Sequence, residues 1–298
     1  MRLQDVISSR PVIQLGLTFA RYAPRSMGYG LARIAANVIA RQKPEIYKTV
    51  RSNLRQVVGA TVDDETLHEM AWQVFYHAGQ TYYDFFHAVG LPRAQVCASL
   101  PIPDSILTLI QTELGRGRGV LLLGIHMSNF DLGILTLGAH GFSAQVLSLA
   151  DPGTGFRFLN RLRAAYGLDV TPITPESLRA AIRHLKAGGL VLAGADRPIP
   201  QDRELIEFFG RPAYLPVGSA RLALMTGATV FLGSCHYEAD TGYIFECVGP
   251  IEIVRTADRR QDVLINTRRI ARIVEERVQA NPTQWMMFHP FWPDLPAD

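Results

Sequence analysis

The chain has 298 residues, of which 48% are hydrophobic and 19% charged, so it can bury a large core and is not intrinsically disordered. Its three cysteines, Cys97, Cys235 and Cys247, have no paired spacing, which argues against a disulfide framework and a zinc site. The net charge is only +3, but residues 1–55 hold ten Arg or Lys against two acidic residues. The remaining residues are net negative, so the basic character is concentrated at the amino-terminal end.

Residues 1–45 are predicted to form basic amphipathic helices. Apolar residues alternate there with arginines at helical intervals, a pattern that favours contact with an anionic membrane surface over nucleic acid. The longest uncharged run, 11–20, has ten residues against the about 20 needed to span a bilayer, so we predict no transmembrane anchor and no signal peptide. We expect a peripheral, monotopic protein on the cytoplasmic face of the cell membrane. In the alternative interpretation, a pair of amphipathic helices in residues 1–45 packs on the rest of the protein, and their arginines only face the solvent.

The hydrophobic periodicity changes along the rest of the chain. It predicts a long helix over 63–89 and then a proline-marked connection. From Gly119 onward it predicts strand 120–126, helix 129–139, strand 144–150, helix 155–166, strand 168–173, helix 175–187, strand 190–196, an antiparallel pair at 229–237 and 243–254, and a final helix over 262–280. Alternation of this kind implies an α/β fold with a largely parallel central sheet, helices on both faces and antiparallel additions near the C-terminus. We predict a single domain, 1–298, in which residues 1–45 extend a catalytic body of 46–298.

The most informative segment is Gly124-Ile125-His126-Met127-Ser128-Asn129-Phe130-Asp131, where a buried strand ends at a histidine. Carboxyl ends of strands in open α/β sheets are where ligands usually bind. A turn before the next helix would let Asp131 accept a hydrogen bond from one ring nitrogen of His126 while the other faces a substrate, as in a positioned general base. The alternatives are that Ser128 or Asn129 caps the helix, that Asp131 sits in its positive first turn, and that His126 is an interior histidine.

Several other chemistries lack their sequence signatures. The chain has no GxSxG nucleophile elbow, no HExxH motif and no Walker loop. A His–Asp pair without a nucleophile fits direct attack by an acceptor hydroxyl that His126 deprotonates, with no covalent acyl-enzyme intermediate. We expect no cofactor.

Four segments together resemble a known family. The His126–Asp131 segment is similar to the H-x4-D/E box of the lysophospholipid acyltransferase superfamily. Three further segments resemble the bacterial lipid A late acyltransferase family, which includes the phosphatidylinositol mannoside acyltransferases: Arg51-Ser52-Asn53-Leu54-Arg55, Phe208-Phe209-Gly210-Arg211-Pro212-Ala213 followed by Gly218, and residues 281–292. The F-P-E-G-T-R box of glycerophosphate acyltransferases is missing; Ala195-Asp196-Arg197-Pro198 stands in a comparable place. The arm is also too interrupted for the membrane-spanning helix that usually begins lipid A enzymes, which slightly favours a phosphatidylinositol mannoside-like acceptor.

The resemblance implies an O-acyltransferase that moves a fatty acyl group from acyl-CoA or acyl-carrier protein to a hydroxyl of a membrane glycolipid. His126 and Asp131 are the predicted catalytic residues, and Asn129, Arg163, Asp196 and Arg197 the predicted substrate-binding residues. Arg163 could equally be a solvated helix-face arginine, and Asp196 could pair with an arginine. His289, Trp285 and Trp292 are predicted to close the core.

Two competing functions remain at this level. One is a thioesterase that uses water as the acceptor, and the other is a non-catalytic lipid-binding membrane protein.

Overall fold

The computed structural model of the protein describes residues 10–148, 153–199 and 202–292. Its helices are α1 (Arg10–Tyr22), α2 (Arg25–Gln42), α3 (Glu45–Val58), α4 (Asp64–Ala88), α5 (Arg93–Ser99), α6 (Asp104–Gly115), α7 (Phe130–Ala139), α8 (Gly153–Ala164), α9 (Pro175–Lys186), α10 (Gly218–Thr226) and α11 (Arg259–Ala280). Its strands are β1 (Val120–Gly124), β2 (Ala144–Ser148), β3 (Leu168–Pro172), β4 (Leu190–Gly194), β5 (Arg203–Phe208), β6 (Arg211–Pro216), β7 (Thr229–Glu238) and β8 (Gly242–Ile251).

The central sheet has six strands in the order β3-β2-β4-β1-β7-β8. Strand β1 is parallel to β4 on one side and to β7 on the other, and β8 returns antiparallel to β7. The parallel sheet with an antiparallel addition therefore confirms the predicted fold class. The alternating strands and helices that the periodicity predicted between residues 120 and 280 are all found, with ends that differ by a few residues.

Successive side chains of the strands point to opposite faces of the sheet and pack in two separate hydrophobic cores. Leu121 and Leu123 of β1 point into the core that α9, α10 and α11 cover, whereas Val120 and Leu122 point into the core that α6 and α7 cover. A strand whose successive side chains are all buried must be covered on both faces, because they point to opposite sides of the sheet. The apolar run at 120–125 therefore reflects a central strand, as its sequence predicted.

The amino-terminal helices are amphipathic as predicted, and α2 packs closely along α4. A Cβ atom at Gly79 of α4 would lie 2.6 Å from the Cβ atom of Ala32, and one at Gly28 of α2 would lie 2.2 Å from the Tyr83 ring. Small residues at these crossings let the two helix backbones approach. Within the described ranges, no helix combines the length and the apolar character that a membrane span requires.

Some elements had no prediction, and some predictions fall on residues that are not described. Helices α3, α5, α6 and α10 and the separate antiparallel hairpin β5–β6 lie in segments whose periodicity we did not assign. Residues 1–9 of the arm and the last two residues of the strand predicted over 144–150 lie outside the described residues.

Candidate active site

The register of two neighbouring strands brings His126 and Asp196 together. Gly124 at the end of β1 is paired with Gly194 at the end of β4. His126 and Asp196 each follow these glycines by two residues, so they leave the sheet at the same edge. The Nδ1 atom of His126 lies 2.7 Å from Oδ1 of Asp196, and the main-chain N–H of His126 donates to Oδ2 over 3.0 Å.

Asp196 is a fully buried carboxylate with three hydrogen-bond donors. Besides the two donors of His126, the indole Nε1–H of Trp285 donates to Oδ2 over 2.9 Å. Burial by itself would raise the pKa of Asp196, but the charge of His126 and these hydrogen bonds outweigh burial and lower the pKa below its ordinary value. An ionised Asp196 holds the ring proton of a neutral His126 on Nδ1, so Nε2 carries the free lone pair. The side chain of Asp196 is 0% exposed and that of His126 is 25% exposed, so only the histidine can meet a substrate.

The predicted hydrogen bond between His126 and Asp131 is not present, and Asp131 has a different partner. Its Oδ1 accepts a hydrogen bond from Nη2 of Arg163 on α8 over 2.5 Å. Ser128 has a positive φ of 47°, which turns the chain between His126 and α7, and Asp131 then lies in the first turn of that helix, facing α8. The carboxylate that orients the imidazole therefore comes from the neighbouring strand and not from the same loop.

Arg163 is a buried arginine and not a solvated helix-face residue. Its Nη1 donates to Asn160 over 2.7 Å, and its guanidinium lies 5.1 Å from the centre of the Phe85 ring. Its Nε is buried with no hydrogen-bond partner among the described residues. The Asp131–Arg163 pair thus ties α7 to α8 beside the predicted catalytic histidine.

Asn129 caps α7, as one of the alternatives proposed. Its Oδ1 accepts a hydrogen bond from the main-chain N–H of Leu132 over 3.2 Å, and its Nδ2 donates to the carbonyl of Thr81 on α4 over 3.3 Å. Asn129 is 0% exposed, which places it behind the site. Asn129 and Asp196, both predicted to bind substrate, therefore lie in positions that support the His126 loop.

The segment after α11 braces the same loop. The main-chain N–H of Met286 donates to the carbonyl of His126, and that of Ser128 donates to the carbonyl of Gln284, each over 2.8 Å. Trp285, between them, reaches Asp196. Trp285 is also part of the core, as predicted, but its hydrogen bond to Asp196 was missed because nothing in the spacing of residues 281–292 indicates which buried acceptor the indole meets.

Arg197 and His289 line the exposed side of the site. An N–H of Arg197 Nη2 donates to Nε2 of His289. Burial, with the charges of Arg197 and His126, lowers the pKa of His289 to about 4, so His289 is neutral at pH 7 and accepts this hydrogen bond. His289 was predicted to close the core; it lies instead beside the two residues that carry the site. In the described ranges, no group of three or more His, Cys, Asp or Glu side chains could hold a metal ion.

The comparisons with known proteins agree with the segments that the sequence singled out. The model of the bacterial lipid A biosynthesis acyltransferase family matches residues 12–293. A phosphatidylinositol mannoside acyltransferase of Mycolicibacterium smegmatis is 24% identical over 286 residues, which cover 93% of this chain and 89% of that protein. Phosphatidylinositol mannoside acyltransferases of two Mycobacterium tuberculosis strains, CDC 1551 and H37Rv, are each 25% identical over 187 residues, 61% of this chain and 57% of those proteins. Because the family match spans nearly the whole chain, the predicted resemblance is confirmed: the protein belongs to the bacterial lipid A biosynthesis acyltransferase family and is an O-acyltransferase.

Proposed function

We propose that the protein transfers a fatty acyl group from a thioester to a hydroxyl of a membrane glycolipid, with His126 as the general base and Asp196 as the residue that orients it. The observation that carries this proposal is the 2.7 Å contact of His126 Nδ1 with a fully buried carboxylate, while the ring remains 25% exposed. A base needs a fixed tautomer and access to the proton it removes, and this arrangement supplies both.

The proposed reaction has one nucleophilic step. Nε2 of His126 takes the proton of the acceptor hydroxyl while its oxygen attacks the thioester carbonyl. The tetrahedral intermediate then collapses, the C–S bond breaks, and the imidazolium returns the proton to the departing thiolate. Asp196 stabilises the imidazolium formed in between, and general-base action of this kind is worth about 10²–10⁴-fold in rate.

The charge that develops on the carbonyl oxygen needs hydrogen-bond donors. At the start of α7 the N–H of Leu132 is capped by Asn129, which leaves those of Phe130 and Asp131, four and five residues after His126, as candidates. Arg197 is the second candidate, because its guanidinium contacts His289 on the exposed side of the site. Arg197 is seventy-one residues from His126 in the chain, but it directly follows Asp196, which contacts His126, so both sources lie beside the imidazole.

The acceptor and donor classes follow from the relatives and the chemistry. The similar mycobacterial proteins are named for phosphatidylinositol mannosides, and we extend that acceptor class, a mannosylated phosphoinositide, to this chain. A thioester donor, acyl-CoA or acyl-carrier protein, fits a site in which the described residues form no nucleophile–base pair. The Asp131–Arg163 pair beside the site could position an anionic part of either substrate.

We place the protein on the membrane through α1 and α2. Leu31 and Ile34 of α2 are 52% and 59% exposed, and Leu15, Tyr22, Met27 and Val38 are exposed beside them. Exposed apolar side chains flanked by arginines are typical of a helix lying in the interface of an anionic membrane. This surface supports peripheral binding on the cytoplasmic side, where acyl thioesters are available.

The catalytic proposal is tested with His126→Gln. We expect transfer of a labelled acyl group from acyl-CoA to a phosphatidylinositol mannoside to fall by about 10²-fold or more, because glutamine cannot take the proton. His140→Gln, an exposed histidine at the far end of α7, is the matched control and should retain full activity. Wild-type transfer by His126→Gln would overturn the proposal, and release of free fatty acid without any acylated lipid would favour a thioesterase.

The membrane proposal is tested with Leu31→Gln/Ile34→Gln. Loss of two exposed apolar side chains should weaken binding to anionic vesicles at least about tenfold. Leu205→Gln/Met225→Gln removes two side chains that are 53% and 58% exposed elsewhere and should change binding little. Equal effects of the two pairs in a vesicle sedimentation assay would contradict this orientation. Deleting residues 1–40 is less informative, because α2 packs on α4 and its loss would expose a core.

A further inference from the structure

A polar groove lies between α2 and the first half of α4, away from the site of His126. It has a volume of about 510 Å³ and is lined by Arg33, Asn37, Arg41, His68, Glu69 and Trp72, with Ala40 at its base. Along α4, the nine residues from Trp72 to Thr81, whose carbonyl accepts a hydrogen bond from Asn129 behind the site, span about 14 Å. The groove is therefore separate from the proposed catalytic centre, and the proposed acyl transfer makes no use of it.

The walls of the groove are held in place before any ligand arrives. The indole Nε1–H of Trp72 donates to Oδ1 of Asn37 over 2.7 Å, which leaves the Nδ2 donors of Asn37 for a ligand. Trp72 stacks on Tyr76 with ring centres 5.2 Å apart, and the Arg33 guanidinium lies 5.7 Å from the Tyr76 ring centre. Preorganised side chains of this kind lose little entropy on binding.

The charge of the groove favours an anion. Arg33 and Arg41 supply two positive charges, and neither forms a salt bridge with a carboxylate in the described ranges. Glu69 is the one acidic residue of the lining, and its Oε1 accepts a hydrogen bond from Gln73 over 3.3 Å. Nδ1 of His68 bonds to the Tyr47 hydroxyl, so its Nε2 is available to the groove.

A second recess continues from His68 and adds basic side chains. Its lining includes Lys43, which has no carboxylate partner in the described ranges, and Lys48, which is paired with Glu45 over 2.8 Å; its acidic residue, Asp64, is paired with Arg51 and Arg55. The two recesses together thus present more positive than negative charge that is free for a ligand. Two guanidinium groups suit a phosphate, while Glu69 and Asn37 suit hydroxyl groups.

The groove lies on the face of α2 beside its exposed apolar residues, which indicates a ligand at the membrane surface. At about 100° per residue, Arg33, Asn37 and Arg41 occupy the face of α2 directly beside the strip formed by Met27, Leu31, Ile34 and Val38. Those four apolar residues are all exposed. If the strip lies among acyl chains, the groove opens at the level of the lipid headgroups, and an aromatic wall is common at that depth.

We propose that this groove is a non-catalytic binding site for the phosphorylated polyol headgroup of an anionic membrane phospholipid. Arg33 and Arg41 bind the phosphodiester, Asn37 and Glu69 bind polyol hydroxyls, and the Trp72 ring packs against the polyol. Occupancy would hold α2, and with it the attached catalytic body, in one orientation on the membrane. The membrane part of this inference rests on the proposed placement of α2; binding of a soluble headgroup does not.

The first experiment measures calorimetric binding of myo-inositol 1-phosphate, inorganic phosphate and myo-inositol to the full chain. We expect inositol 1-phosphate to bind most tightly, and Arg41→Gln and Arg33→Gln each to weaken it about tenfold. Arg21→Gln removes one exposed charge from α1 outside the groove and should change binding by less than about twofold. Binding that none of the groove variants alters would locate it elsewhere and overturn the proposal, as would equal binding of inorganic phosphate.

The second experiment separates the lipid site from general attraction to charge. Vesicles of phosphatidylcholine with equal fractions of phosphatidylinositol or phosphatidylserine have the same charge, so Arg21→Gln should weaken binding to both equally. Arg41→Gln should in addition abolish the preference for phosphatidylinositol vesicles; equal losses on both vesicle types would overturn the headgroup site. Arg41→Gln should keep the wild-type, His126-dependent turnover of acyl-CoA in detergent solution. If the wild type transfers no acyl group to a phosphatidylinositol mannoside from either acyl-CoA or acyl-carrier protein, the proposed acyl transfer is refuted while the binding results remain valid.

Discussion

Replacing Asp196 with asparagine is the sharpest test of the site, because the geometry predicts which way the amide will point. Oδ2 accepts two N–H donors, the main chain of His126 over 3.0 Å and the Trp285 indole over 2.9 Å. In Asp196→Asn the amide oxygen must take this position, since an NH₂ group there would face two donors. The NH₂ group then takes the position of Oδ1, 2.7 Å from Nδ1 of His126.

That orientation forces the wrong tautomer of the histidine. An NH₂ group facing Nδ1 makes Nδ1 an acceptor, so the ring proton moves to Nε2, which can then no longer remove a proton from the acceptor hydroxyl. The variant loses both the free base and the negative charge that stabilises the imidazolium. We expect kcat to fall by about 10²–10⁴-fold, while the fold is kept because every hydrogen bond of residue 196 is replaced by another.

The assay combines turnover with direct observation of the tautomer. Acyl transfer should be measured over a range of acceptor concentrations, and the ¹⁵N resonances of His126 should show the proton on Nδ1 in the wild type and on Nε2 in Asp196→Asn. Asp131→Asn is the matched control. It removes the negative charge that faces the buried Arg163 over 2.5 Å and leaves only an amide oxygen to accept its hydrogen bond, so we expect a loss of about 1–3 kcal/mol in stability and a changed KM, with the proton still on Nδ1.

An exchange of behaviour between the two variants would contradict the role proposed for Asp196. A shifted tautomer in Asp131→Asn with an unchanged one in Asp196→Asn would mean that the loop carboxylate orients the imidazole after all. Full activity of Asp196→Asn would remove the buried carboxylate from the mechanism altogether.

Two further predictions concern the surroundings of the site. A Cβ atom at Gly194 would lie 3.3 Å from Cε1 of His126, whereas one at Gly124 would have no neighbour within 4 Å. Gly194→Ala should therefore lower kcat with little change in melting temperature. Gly124→Ala, at the residue paired with Gly194 in the sheet, should keep its activity in steady-state kinetics. His289 has a pKa of about 4 in the folded protein, against 6.5 ordinarily, because the fold holds its imidazole neutral. The stability that depends on the neutral imidazole is therefore complete above about pH 6.5 and is lost as the pH falls toward 4. His289→Gln, whose amide oxygen can still accept from Arg197, should therefore lose less melting temperature between about pH 7 and pH 5 than the wild type; an identical loss would mean that His289 is not held neutral.

The sequence predicted the strands and helices between residues 120 and 196 because each of them has a local signal. Buried strands such as 120–124 and 190–194 are short apolar runs bounded by glycine, and the helices between them have apolar periodicity. Segments with mixed signals were not assigned. The hairpin β5–β6 is an example, since only Ile206, Phe208, Ala213 and the last residues of β6 are buried and the other positions are polar or partly exposed.

The partner of His126 could not be predicted, because it depends on the order of strands in the sheet. Asp131 is close in sequence, and a local turn could have brought it to the imidazole. Asp196 is seventy residues away, and it reaches His126 only because β4 lies next to β1 with Gly194 opposite Gly124. Short connecting helices allow several strand orders, and spacing alone does not choose among them.

The four segments that resembled the acyltransferase family lie far apart in the chain, and the structure gives them a common mechanical role. Asn53 donates from Nδ2 to the carbonyls of Met287 and His289, over 3.0 and 2.9 Å, and so fixes the course of the chain after α11. The Trp292 indole in the same stretch donates to the carbonyl of Phe208 over 3.3 Å. Trp285 lies two residues before Met287, the first of these anchors, so the anchored chain limits the position of a single indole N–H. That N–H is one of three donors that keep a buried carboxylate ionised beside His126, so residues with no access to substrate set the direction in which the imidazole faces it.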